Sequence, residues 1–80
     1  MATVFLPNAL ASLAGGVETV VIDAPRVVEL LGELATRYPA LADRLGELAV
    51  AVDGDIFNDA DYIPLRPDSE VHLVPRIAGG

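Results

Sequence analysis

The stretch from Val27 to Tyr38 limits the fold more than any other part of the chain. Val27, Leu30, Leu31, Leu34, Ala35 and Tyr38 recur at i, i+3, i+4, i+7, i+8 and i+11, a spacing that puts them on one stripe of an amphipathic α-helix. Glu29, Glu33, Thr36 and Arg37 fall on the opposite side. Glu33 and Arg37 stand four apart in the favourable order, which adds about 0.3 kcal/mol of support. Pro25 suits the first turn of such a helix, where its missing amide hydrogen costs nothing. Pro39 marks the stop, because the residue before a proline avoids helical backbone angles. A chain of 80 residues buries only about 60% of the surface it exposes when unfolded. That is enough for one thin core, so the apolar stripe has room for a single partner layer.

The rest of the chain reads as that layer, a sheet. Thr3 to Leu6 is short, β-branched and aromatic, and Pro7-Asn8 ends it. An apolar but strand-poor stretch leads to Gly15-Gly16, which offers the positive φ values of a turn, and Val17 to Asp23 resumes as a strand. The two arms read as a β-hairpin with an irregular loop, with Val20 and Ile22 sharing a face and Glu18 at the edge or surface. Beyond the helix, Ala40 to Glu47 suits one further short helical turn. Leu48 to Val52 is a compact strand, Asp53-Gly54 a strong hairpin signal, and Asp55 to Phe57 the returning arm. Asn58 to Tyr62 is polar and loop-like, and Arg66 to Ser69 is a turn. Glu70 to Val74 is the last strand, with Val71 and Leu73 on one face and Glu70, His72 and Val74 on the other. The order predicts an α+β domain, a mostly antiparallel sheet packed on one side by one main helix. The same order also permits a right-handed crossover that places the last strand parallel to the first.

Composition removes most chemistries. Cysteine is absent and the five basic residues are all arginine, so no disulfide, cysteine-type metal site, thiol nucleophile, Schiff base or Walker-type phosphate grip can be built. One histidine makes no multi-histidine metal site, and Ser12 and Ser69 lack a nucleophile-elbow context. Twelve carboxylates against five arginines give a net charge of -7, which opposes nucleic acid as a partner and favours either solubility alone or a basic partner surface. Asp53, Asp55, Asp59 and Asp61 lack the twelve-residue calcium-loop spacing, since position twelve from Asp53 is Pro64, so they read as a hairpin turn with a solvated acidic loop. With no signal-like or membrane-length apolar run, the expectation is a soluble cytoplasmic protein. A hydrophobic share of 52% exceeds what a thin core can hide, which points to an apolar partner surface.

The most informative segment is the last, Pro75-Arg76-Ile77-Ala78-Gly79-Gly80. Pro75 is expected to block further sheet pairing and to release residues 76–80 as a flexible diglycine tail reaching about 17 Å when extended, beyond a domain of residues 1–75. Two glycines let a backbone pass a narrow channel, and the group delivered at the end is the α-carboxylate of Gly80. Attack of that carboxylate on the α-phosphate of ATP makes an acyl-adenylate. A sulfur nucleophile held by a partner can then displace AMP and leave a thiocarboxylate.

Residues 70–80, behind the helix from Val27 to Tyr38 and the Val50-Ala51-Val52-Asp53-Gly54 turn, closely resemble the MoaD/ThiS sulfur carrier family of ubiquitin-like β-grasp proteins. The likeness spans essentially the whole chain and includes the Pro67-Asp68-Ser69-Glu70-Val71 lead-in to the last strand. It implies a β-grasp fold with a mixed four- to five-stranded sheet on one main helix. It also implies a carrier without catalytic residues or bound cofactor of its own, whose terminal glycine is adenylated by a ubiquitin-activating-type adenylyltransferase that uses ATP, then thiolated for a sulfur-accepting synthase. Gly80 would bear the thiocarboxylate, with Gly79 and Ala78 threading the partner's channel. Arg76, Ile77, His72, Val74 and Phe5 are the candidate partner contacts, Arg76 through bidentate pairing with carboxylates and Phe5 and Val74, with Leu6, through an apolar patch. Molybdopterin-synthase small subunits often show a paired proline and aromatics where this chain has Leu73-Val74-Pro75-Arg76. Carriers for cysteine or secondary-metabolite sulfur share the Pro-x-x-Ala-Gly-Gly ending, and thiamine carriers are usually shorter. The pathway therefore stays open among the four. Two other functions stay open as well: a ubiquitin-like modifier joined through Gly80 to target lysines, and a non-covalent binding subunit.

Overall fold

The computed structural model of the protein describes residues 1–76. The amphipathic stripe forms helix α2 (Val27–Arg37), whose Val27, Leu30 and Leu34 are fully buried while Leu31, Ala35 and Tyr38 are half-buried. Around it stand β1 (Ala2–Phe5), α1 (Asn8–Leu13), β2 (Thr19–Ile22), a 3-10 turn (Pro39–Leu41), α3 (Ala42–Leu45), β3 (Leu48–Val52), β4 (Asp55–Phe57) and β5 (Glu70–Pro75). The strands form one mixed sheet in the order β2-β1-β5-β3-β4, in which β1 and β5 are parallel and the other neighbours antiparallel. This is the β-grasp arrangement that the family resemblance implies, with the last strand running beside and parallel to the first.

Alternation along the strands sends Val4, Val20, Ile22, Val71 and Leu73 to the helix side, where they meet Val27, Leu30, Leu34 and Leu41 in one core. Burying each of the larger side chains contributes about 1.5–3 kcal/mol. The first amides of α2 find acceptors in the segment after β4. Val28 N–H donates to the Asp61 carbonyl at 2.8 Å and Val27 N–H to that of Ile63 at 3.1 Å, which satisfies two of the donors a helix start leaves open.

Four expectations need correction. The stretch after Pro7 is helix α1, not irregular loop, because Leu10, Ala11 and Ala14 bury one short face at the end of the core. Pro25 stands outside α2, whose N-cap is Arg26, and its carbonyl accepts from Leu65 N–H at 2.9 Å.

Pro75 stays within the sheet, opposite Leu48. Asp53 N–H donates to the Glu70 carbonyl, so hydrogen-bonded pairs fall on Asp53, Ala51 and Ala49. Leu48 and Pro75 are then a non-hydrogen-bonded pair in which no amide hydrogen is missed. Finally, Asp53 stands in the expected hairpin turn and is exposed, but its carboxylate is hydrogen-bonded within the chain instead of being solvated on its own. It takes φ +49 in the turn before Gly54 at φ +93, the left-handed pair a two-residue hairpin requires. From there its carboxylate faces the start of β5.

Candidate functional site

Strand β5 runs from a hydrogen-bonded clamp at its start to the root of the expected tail at its end. At its start the Asp53 carboxylate substitutes for a main-chain acceptor. Oδ1 accepts from Glu70 N–H at 2.9 Å, and Oδ2 accepts from the Ser69 hydroxyl at 2.9 Å and from Arg66 Nη2 at 3.2 Å. Ser69 Oγ in turn accepts from Arg66 N–H at 2.8 Å, and Ser69 is 1% exposed. The Glu70 amide, the Ser69 hydroxyl and, less strongly, Arg66 hold the Asp53 carboxyl below its ordinary range. Composition alone could not find this clamp; the nearest signal was the Ser69-Glu70 pair leading into the last strand.

Past this start, β5 presents its outer face. Register places Thr19, Phe5, His72, Ala51 and Ile56 side by side across all five strands, with Val74 beside Ala49 in the next row. Among the described residues no helix packs on this side of the sheet, and the core lies on the other. The Phe5 and His72 rings stack with centroids 4.4 Å apart and 8° between their planes. Ala49 and Ala51 are buried while Ile56 is 59% exposed. Three of the expected contact residues, Phe5, His72 and Val74, therefore share one face, whereas Leu6 is buried in the core. Ile56 completes the row and was missed by sequence reasoning. Its cross-strand partner Ala51 lies opposite His72, a relation that only the register reveals.

At the far end of β5, Arg76 turns back on the domain. Its Nη2 donates to the Asn58 carbonyl at 3.1 Å, and Nε makes a longer contact to the Leu48 carbonyl at 3.5 Å. The guanidinium, expected to await a partner's carboxylate, is thus engaged by neutral acceptors of its own chain. Ile77, Ala78, Gly79 and Gly80, with the expected tail beyond residue 76, lie outside the described residues. Among the described residues no cluster of three or more histidine, aspartate or glutamate side chains can hold a metal ion, and no helix is long and apolar enough to cross a membrane.

The fold and this geometry can be set beside known proteins. A chain of the BexX/CysO complex of Amycolatopsis orientalis superposes with a TM-score of 0.85 at 20% identity, covering 100% of each chain. Small archaeal modifier protein 1 of Methanosarcina acetivorans gives 0.84 at 20% identity, covering 99% of this chain and 95% of its own. A chain of the complex of subunits 1 and 2 of molybdopterin-converting factor from Helicobacter pylori gives 0.68 at 22% identity, covering 99% and 97%. These likenesses establish the ubiquitin-like β-grasp fold. No curated protein matches the sequence. The family model for the ThiS family matches residues 4–80, nearly the whole chain and through the glycine pair at its end, and the chain therefore belongs to the ThiS family.

Proposed function

We propose that the protein is a sulfur carrier whose Gly80 α-carboxylate is activated and thiolated by partner enzymes. The observation that carries this reading is the ThiS family match running through Ala78-Gly79-Gly80. In the first step a Gly80 carboxylate oxygen attacks the α-phosphorus of ATP and pyrophosphate leaves, giving the acyl-adenylate. In the second, a sulfide equivalent attacks the acyl carbon and AMP leaves, giving the thiocarboxylate. The activating enzyme supplies the catalytic groups and binds the ATP, and a sulfur-accepting synthase takes the product. This chain supplies the reacting carboxylate, a threading segment at Gly79 and Ala78, and a docking face.

The uncovered face with Phe5, His72, Val74 and Ile56 suits that docking. Its apolar members Phe5, Val74 and Ile56 surround His72, while the net charge of -7 favours a partner with a basic rim. The reading sets the reaction in the cytoplasm, where ATP is at hand. Absence of lysine also serves a chain that carries an activated carboxyl, because no side-chain amine of its own can capture the acyl group. The acceptor pathway is open among molybdopterin, cysteine, thiamine and secondary-metabolite sulfur.

Incubation with ATP and a ubiquitin-activating-type enzyme of the same host should produce exchange of label between pyrophosphate and ATP that depends on this protein. Removal of Gly80 should abolish it. The fold likeness to an archaeal modifier protein favours conjugation through Gly80 as a second reading, which adducts on lysines of other proteins would support. Tight binding to a synthase without any exchange would instead leave a non-covalent subunit.

A further inference from the structure

Strand β3 begins next to a gap in the ladder, because Leu48 and Ala49 have no partner on β4. Its last partner on β4 is Phe57, opposite Val50. Leu48 and Pro75 are a non-hydrogen-bonded pair, so the Leu48 carbonyl points away from β5 toward the side where β4 has already ended. Asn58, the first residue past β4, offers a second carbonyl beyond the ladder. Arg76 reaches both. Arg76 also lines a recess of about 210 Å³ together with Leu31, Leu45, Asp59 and Asp61. Pro75 restricts the backbone immediately before it.

We infer that Arg76 is a positioning residue, which ties the end of β5 to the Leu48 and Asn58 carbonyls so that the segment bearing Gly80 starts from a fixed place and heading. The consequence for activation rests on the carrier reading; the tie itself does not. Ordering the base of an arm before it meets its partner removes part of the entropy that binding must otherwise overcome, and holding about one residue is worth up to about tenfold in affinity. The guanidinium suits the task because its rigid planar fork can address two acceptors at once, which an ammonium on a flexible stem does poorly. Among the described residues Arg76 commits Nε and Nη2.

Arg76→Met keeps most of the aliphatic stem and removes the donors. In the pyrophosphate exchange assay it should raise the KM for the carrier by about 3- to 10-fold while kcat stays within about twofold. Arg76→Lys should fall between the two. In the free protein, the Arg76 Nε–H should be more ordered by heteronuclear NOE than that of the exposed Arg44, and Arg76→Met should lower the NOE of the backbone amide at position 76. An Arg76 Nε–H as mobile as Arg44, or a KM unchanged or lowered, overturns the inference. A raised KM with unaltered amide NOE values also overturns it, because Arg76 would then act on the partner directly. Absence of exchange with the unaltered protein counts against the carrier reading instead, and the NOE comparison still decides whether the tie exists.

Discussion

Strand β5 starts in a carboxylate clamp and finishes on a guanidinium tie, and the two attachments differ in kind. At the start, Asp53 gathers a main-chain amide, a buried hydroxyl and an arginine at 2.9–3.2 Å, and Ser69 is almost wholly enclosed. Leaving the buried Ser69 hydroxyl without its partners costs about 1–3 kcal/mol, whereas the Glu70 and Arg66 contacts to Asp53 lie at the surface. At the finish, Arg76 is exposed and donates to two neutral carbonyls, one of them at 3.5 Å. Water can replace either contact. The start of the strand is thus built to hold the sheet together, and the end to aim whatever follows it while remaining replaceable. On the carrier reading proposed above, a terminus handed to an enzyme needs both properties in one strand.

Deleting Gly80 should produce the largest effect on function and the smallest on the fold: complete loss of activation with an unchanged urea midpoint. A shifted midpoint would mean that the C-terminal end also stabilises the domain, and the contrast would fail. Within the strand, Leu73→Ala removes a 3% exposed core side chain and should cost about 2–5 kcal/mol by urea unfolding. Ser69→Ala should cost about 1–3 kcal/mol by the same measurement, since the Arg66 amide and an Asp53 oxygen both lose a partner.

Acid should weaken the start of the strand selectively. The folded-state pKa of Asp53 lies below its unfolded value, so its contribution is fully present above the unfolded carboxyl's value of about 3.9 and fades as the pH falls through the folded value. Asp53→Asn should therefore be less stable than the parent at neutral pH and lose less stability than the parent between neutral pH and about pH 2. Smallest of all, Arg76→Met should change unfolding free energy by no more than about 0.5 kcal/mol, in contrast with its effect on KM.

Much of this architecture was legible from spacing alone. The stripe from Val27 to Tyr38, the Asp53-Gly54 hairpin and the alternation of Val71 and Leu73 against His72 all translate directly into burial, because period and turn chemistry are local properties. Helix α1 was not legible. Its six residues lack a stripe of their own and are helical because Leu10 and Ala11 close the end of a core assembled from distant segments. Pro75 was misread because tolerance of proline in a strand depends on whether that register position carries a hydrogen bond, which is set by the partner strand. The role of Asp53 was hidden for the same reason, since its partners Ser69 and Glu70 are 16 and 17 residues away. On the outer face, Phe5, His72 and Val74 could be nominated one by one, but their stacking and the addition of Ile56 came only with the strand register.

Intact mass is the most direct probe of the chemistry at Gly80. Protein incubated with ATP, the activating enzyme and a sulfide source should gain one sulfur in place of one oxygen, localised by fragmentation to Gly80 and absent when Gly80 is removed. An unchanged mass in the presence of a demonstrably active enzyme, or a sulfur retained after Gly80 is deleted, would contradict the assignment of that carboxylate as the sulfur-bearing group.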